Sequence, residues 1–151
     1  MAKFYSLELG GAITGRPYPT SGVGVGGRTQ HACRGEYTIA AALALNDTID
    51  LFDLPPNARI VGGFVKSDDL DTNGSPAIVL AVGDSGDDDR YFSGLTIAQA
   101  GGVSFTLAAT GVDYVTTGKT RVTLKVTTGP GTGATTGKIV VVLHYFVNEP
   151  A

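Results

Sequence analysis

The amino-acid sequence predicts an all-β protein, an antiparallel sandwich or barrel preceded by an extended N-terminal arm. Three observations carry that prediction. At least six short runs rich in β-branched and aromatic residues follow one another, separated by Gly, Pro, Asn and Asp. No segment of helical length shows a sustained 3.6-residue apolar period. The first 35 residues are Gly-rich and aperiodic, which divides the chain into an arm over 1–35 and a β domain over 36–151.

In chain order, the arm contains GGAITGRPYPTSGVGVGG at 10–27. Its Gly22, Gly24 and Gly27 match G-x-G-x-x-G, but PYPTS stands where a strand is needed and RTQHACRGEY where a helix is needed, so no dinucleotide site is predicted. EYTIAAALAL at 36–45 alternates as a strand through Tyr37, Ile39, Ala41 and Leu43. DTIDLFDL at 47–54 is the next strand, ended by Pro55 and Pro56. ARIVGGFVKS at 58–67 is a strand whose Gly62 and Gly63 signal a bulge or a close backbone approach. PAIVLAVG at 76–83 follows, then LTIAQA at 95–100, the one candidate helical turn. TRVTLKVT at 120–127 points Val122, Leu124 and Val126 inward, and KIVVVLHYFVN at 138–148 is apolar on both parities. TTGPGTGATTGK at 127–138 reads as a long hairpin loop between the last two strands.

A chain of 151 residues can bury a core without a metal or disulfide. The lone Cys33 has no internal partner and no zinc-type neighbours. The longest apolar run, 139–143, is too short to span a bilayer, and the N-terminus lacks a signal-peptide core, so no membrane association is expected. Net charge is −3, which predicts no nucleic-acid affinity, but it is unevenly distributed. Residues 1–34 hold Lys3, Arg16, Arg28 and Arg34 against Glu8 alone, a net of +3, while the remaining 7 bases and 13 acids leave −6.

Two motifs imitate known chemistry. Asp69, Asp71, Asn73 and Gly74 open like an EF-hand loop, but its twelfth position, which should hold a bidentate Glu, is Leu80. A looser cation site from Asp69, Asp71, Asp87 and Asp89 is the weak metal candidate; the favoured reading is tight turns, with no metal and no cofactor. GDSG at 83–86 reproduces the surroundings of a protease serine, yet Asp87 stands where Gly is needed, and neither His31 nor His144 is placed to act as base. Asp87, Asp88 and Asp89 should point alternately apart in extended chain and so make a poor acid/base pair. No catalytic residue is predicted.

The order of the pieces is more informative. LALNDTIDLFDLPPNARIVGGFVKSDDLDTNGSPAIVLAVGDSGDDDRYF combines Asn46-Asp47 at a strand end, the Leu54-Pro55 step and the turn Asp69-Leu70-Asp71-Thr72. The Pro76-started strand and Asp89-Arg90-Tyr91-Phe92 complete the order. This arrangement resembles the tailed-bacteriophage capsid decoration proteins, also called cement or head-stabilising proteins. The later TTGKTRVTLKVTTGPGTGATTGKIVVVLHYF looks like their final hairpin, and the resemblance covers 36–148. It implies a jelly-roll-like sandwich and a non-enzymatic role on the exterior of a phage head, tying major capsid protein subunits together. Arg90 is expected to pair with a neighbouring carboxylate at the surface, a contact stabilising by about 0–1 kcal/mol. Lys3, Arg16, Arg28 and Arg34 are the candidate capsid contacts, on an arm expected to be mobile when free and ordered on the shell. Residues 77–82 and 139–147 are apolar on both parities, so a partner, the arm or a loop must cover a second face; a dimer or trimer is the simplest cover. The alternative is a lectin-like or receptor-binding virion protein, with Tyr91, Phe92 and Tyr114 as its aromatic platform.

Overall fold

The computed structural model describes residues 29–147. Most of the predicted arm, with Lys3, Arg16 and Arg28, lies outside the described residues. Eight strands follow in order: β1 (Gln30–Thr38), β2 (Thr48–Leu54), β3 (Ala58–Ser67), β4 (Val79–Asp84), β5 (Asp87–Leu95), β6 (Gly102–Ser104), β7 (Thr120–Thr128) and β8 (Lys138–Val147). A single 3-10 turn, Ile97–Gln99, precedes β6, where LTIAQA predicted a helical turn.

The strands form two four-stranded sheets, β1-β8-β3-β6 and β2-β7-β4-β5. In that order β1 lies beside β8, β2 beside β7, β3 beside β6 and β4 beside β5, which is an antiparallel ribbon rolled into a jelly roll. The predicted sandwich is therefore present, in the jelly-roll form that the resemblance implied.

Alternation places the core. Val122, Leu124 and Val126 of β7 are buried as predicted, and they face Ile139, Val141 and Leu143 of β8 across one continuous cluster. Each such side chain contributes about 1.5–3 kcal/mol by leaving water. The predicted irregularity in β3 is a register shift between Ile60 and Gly62 against β8. Gly63 is required there, since a Cβ would stand 2.3 Å from the Val142 carbonyl oxygen.

Four expectations need correction. The strand expected at residue 36 begins at Gln30, so Arg34 belongs to β1 and not to an arm ending at 35. The run at 36–45 is strand only through Thr38; beyond it the chain crosses to the other sheet, where the alanines at 40–42 supply little area to bury and Asn46 takes φ 68°. The tract at 127–138 is no hairpin loop, because β7 and β8 lie in different sheets and the tract bridges them. Asp87 to Asp89, read as a turn, begin β5, and only Ser85 and Gly86 turn the chain.

Candidate functional site

The Asp-rich stretch builds two carboxylate centres, and both bind the chain's own donors. In the D-x-D-x-N-G segment, Asp69 accepts from the Asp71 N–H at 3.0 Å, Asp71 from the Asn73 N–H at 3.3 Å and Asn73 from the Ser75 N–H at 2.9 Å. This ladder of side-chain turns is the local bonding that Asp and Asn favour at such spacings. Asp71 is buried and accepts four further backbone N–H bonds, from Ala77 at 2.7 Å, Ile78 at 3.2 Å, Gly131 at 2.9 Å and Thr132 at 2.9 Å. It thereby clasps the β3–β4 loop to the β7–β8 loop. Burial alone would raise its pKa; the converging N–H groups outweigh burial and hold it well below the usual carboxylate range.

Asp84, the aspartate of GDSG, organises the β4–β5 turn. It accepts from the Gly86 and Asp87 N–H groups at 2.9 and 3.2 Å, the Arg90 guanidinium at 2.8 Å and the Tyr91 hydroxyl at 3.0 Å. Burial works against its charge, and Arg90, Gly86 and Tyr91 lower its pKa nonetheless. Arg90 pairs with a carboxylate as expected, but not at the surface: its side chain is 17% exposed, that of Asp84 only 4%. Its guanidinium also lies 4.1 Å from the centre of the Tyr114 ring. No protease geometry surrounds Ser85. His31 stacks on Tyr145 at 5.5 Å, and His144 sits in β8 beside Gly62.

The four weak metal candidates do not converge as one set: Asp87 and Asp89 meet, without Asp69 or Asp71. Asp71 is saturated by N–H donors, and among the described residues the group of acidic side chains whose oxygens lie within 4.8 Å of one another is Asp87, Asp88 and Asp89. Their convergence departs from the expected alternation because β5 bulges: Asp84 pairs with Asp87, yet Val82 pairs with Phe92, which leaves extra β5 residues looped out. Asp88 is neutralised by Lys125 at 2.6 Å, and Asp89 accepts from the Ser93 hydroxyl at 2.7 Å. The proposed lectin platform also fails. Tyr91 and Phe92 are fully buried in β5, and Tyr114 is half-buried beneath Arg90.

The two outward sheet faces differ in chemistry, which the sequence reading did not separate. On the β2-β7-β4-β5 face, Arg121 pairs with Asp50 at 2.9 Å and with Asp53, Lys119 pairs with Asp53 at 2.8 Å, and Lys125 pairs with Asp88. Arg121 and then Lys119 hold the Asp53 carboxyl far below its ordinary value. On the β1-β8-β3-β6 face, Phe64 pairs in register with Val142, and Lys66 lies between Val140 and Val103. Phe105, just after β6, is 69% exposed, with its ring 5.7 Å from that of Phe64. Arg34 lies on this face, paired with Glu36, which also binds Lys138 at 3.0 Å. The second apolar parity of β8 contained this signal, but only the pairing of strands distant in sequence assembles it into a surface.

No protein-family model and no curated protein matches the chain. Among solved structures, a chain of the cyanophage Pam1 capsid asymmetric unit is 34% identical, covering 89% of this chain and 96% of its own length, with a TM-score of 0.75. A chain in the capsid of Ralstonia phage GP4 is 32% identical, covering 89% of this chain and 91% of its own length, with a TM-score of 0.73. A chain of the acid-stable capsid of Helicobacter pylori bacteriophage KHP30, 14% identical with a TM-score of 0.55, shares the fold.

Proposed function

This chain belongs to the bacteriophage capsid-protein family represented in the Pam1 and GP4 capsids, and from that premise we propose that it is a cement protein on the exterior of an icosahedral head. The observation that carries this reading is the contrast between the outward faces. The β2-β7-β4-β5 face is a lattice of ion pairs that are comfortable in water, as the outer side of a decorated shell requires. A subunit that tiled the shell itself would need neighbours around its whole perimeter. A sandwich of this size with one face suited to solvent fits better as an addition to a shell already closed. Its role is structural, and its partner is the major capsid protein.

Lys3, Arg16, Arg28 and Arg34 extend the contact along the shell, and a dimer or trimer of the chain makes that contact multivalent. The second face of β4 does not call for such a partner. Asp88 and Lys125, joined at 2.6 Å from the strands on either side, roof it over Ala81 and Gly83.

Heads lacking the protein provide the test. Added protein should bind them saturably in co-sedimentation and raise the temperature at which they release their DNA. Self-assembly of the purified chain into closed shells would instead make it a major capsid protein. Selective binding on a glycan array, without binding to heads, would restore the lectin-like alternative.

A further inference from the structure

We propose that the outer face of the β1-β8-β3-β6 sheet is the docking face, and that it seats on an apolar ledge of a capsid subunit rimmed by carboxylates. The assignment rests on the cement reading and names the surface that performs it.

Phe105, Phe64, Val103, Val140 and Val142 form the apolar centre. Lys66 stands opposite both Val140 and Val103, while Phe64 stands opposite Val142 and against the Phe105 ring, so these side chains lie on adjoining register positions of three strands. Phe105 is 69% exposed and Val103 47%, whereas Val142 beneath them is 7% exposed. An aromatic ring standing proud of a packed floor is the form that interface anchors take.

Charge selects the occupant. Arg34, Arg59, Lys66 and Lys138 project from this sheet among or around the apolar residues, and the acidic residue in its strands is Glu36. Glu36 already serves Arg34 and Lys138, Arg59 takes Asp113 from the loop before β7, and Lys66 has no ion-pair partner among the described residues. A second copy placed face to face would set these cations against each other, a like-charge juxtaposition that disfavours self-pairing. A partner surface with carboxylates around an apolar recess answers both the unpaired Lys66 and the proud Phe105. Self-association then uses the sheet edges and leaves this face free.

Full-length Phe105→Asp, Lys66→Glu and Thr123→Glu variants, the last on the opposite face, would be titrated against heads lacking the protein at low and high salt. Light scattering would measure the mass of each free variant. Phe105→Asp should weaken head binding by about 30-fold or more, and Lys66→Glu by about tenfold with a flatter salt dependence. Thr123→Glu should bind as the unmodified protein does. Phe105 is exposed, so circular dichroism should stay native, and Lys66→Glu reads the same face without touching an apolar residue. Undiminished binding of Phe105→Asp and Lys66→Glu, with the unmodified protein also binding, overturns this assignment alone. Dissociation of a free oligomer by Phe105→Asp overturns it in favour of a second copy. Failure of the unmodified protein to bind any head overturns the cement reading and the assignment with it.

Discussion

Asp71 and Asp84 show how a carboxylate is used when the chain itself supplies the donors. Five backbone N–H groups meet on Asp71, and a guanidinium, a phenol and two N–H groups meet on Asp84. Replacing Asp84 with Ala strands the half-buried Arg90 charge and the Tyr91 hydroxyl together, and urea unfolding should show a loss of about 3–5 kcal/mol. Both carboxyls are held below their ordinary pKa. The stability they contribute is therefore complete above about pH 5, where the unfolded chain is also ionised, and is lost as pH falls through about 4 toward the depressed folded values. Melting temperature should stay level above that window and fall below it, and Asp71→Asn should lower the plateau and flatten the acid decline. An equally steep decline in Asp71→Asn would assign the acid sensitivity to other groups. Both motifs were legible as turns, since Asp, Asn and Gly at those spacings form them locally. That Asp71 would reach Gly131 and Thr132, some sixty positions on, was not, because nothing near Asp71 in sequence encodes the loop that folds over it.

Strands were found where the β-type pattern was strong: the alternation of β7, the continuous apolar run of β8 and the bulged β3. The misses share a physical cause. β5 opens with three aspartates that read as a solvated turn, because an edge strand with a bulge can carry them into water while Tyr91 and Phe92 still reach the core. β1 opens with QHACRG, in which only Cys33 and Gly35 escape full exposure; Gly35 lies so close to β2 that a Cβ would meet that of Leu51 at 2.9 Å. Which strand crosses to which sheet is decided by partners distant in sequence, so the tract between β7 and β8 passed for a hairpin. Among the described glycines the closest approach is at Gly83, where a Cβ would stand 2.1 Å from the Asp87 carbonyl oxygen. Gly83→Val must push β5 away and open the Asp84 centre, and it should cost about 3 kcal/mol, the upper part of the range for over-packing. Loss of Asp87 N–H protection in hydrogen exchange would locate the damage; unchanged stability would mean that the bulge yields freely.

For the whole molecule, the first consequence concerns the segment before β1. Every described strand lies between Gln30 and Val147, so deleting residues 1–28 should leave circular dichroism and melting temperature within a few degrees of the full chain. That deletion removes Lys3, Arg16 and Arg28, and head binding should weaken and lose part of its salt dependence. Undiminished decoration by the shortened protein would place the whole contact on the sandwich. A second consequence follows from the rolled ribbon, whose pairs run outward from β4 with β5 to β1 with β8. The innermost turn joins residues that are neighbours along the chain, while Glu36 on β1 and Lys138 on β8 meet across 102 positions. Forming the outer pairs before the inner ones would close long loops with nothing yet to hold them. The topology therefore predicts a kinetic order in which the β4–β5 hairpin forms first and β1 joins β8 last. Substitutions at Val82 or Phe92 should slow refolding, whereas one at Cys33 should chiefly accelerate unfolding, and the reverse pattern would exclude this order. A chain still being synthesised cannot give β1 and β3 their shared neighbour until β8 has emerged, so the sheet that carries Phe64 and Lys66 is the last part of the molecule to be completed.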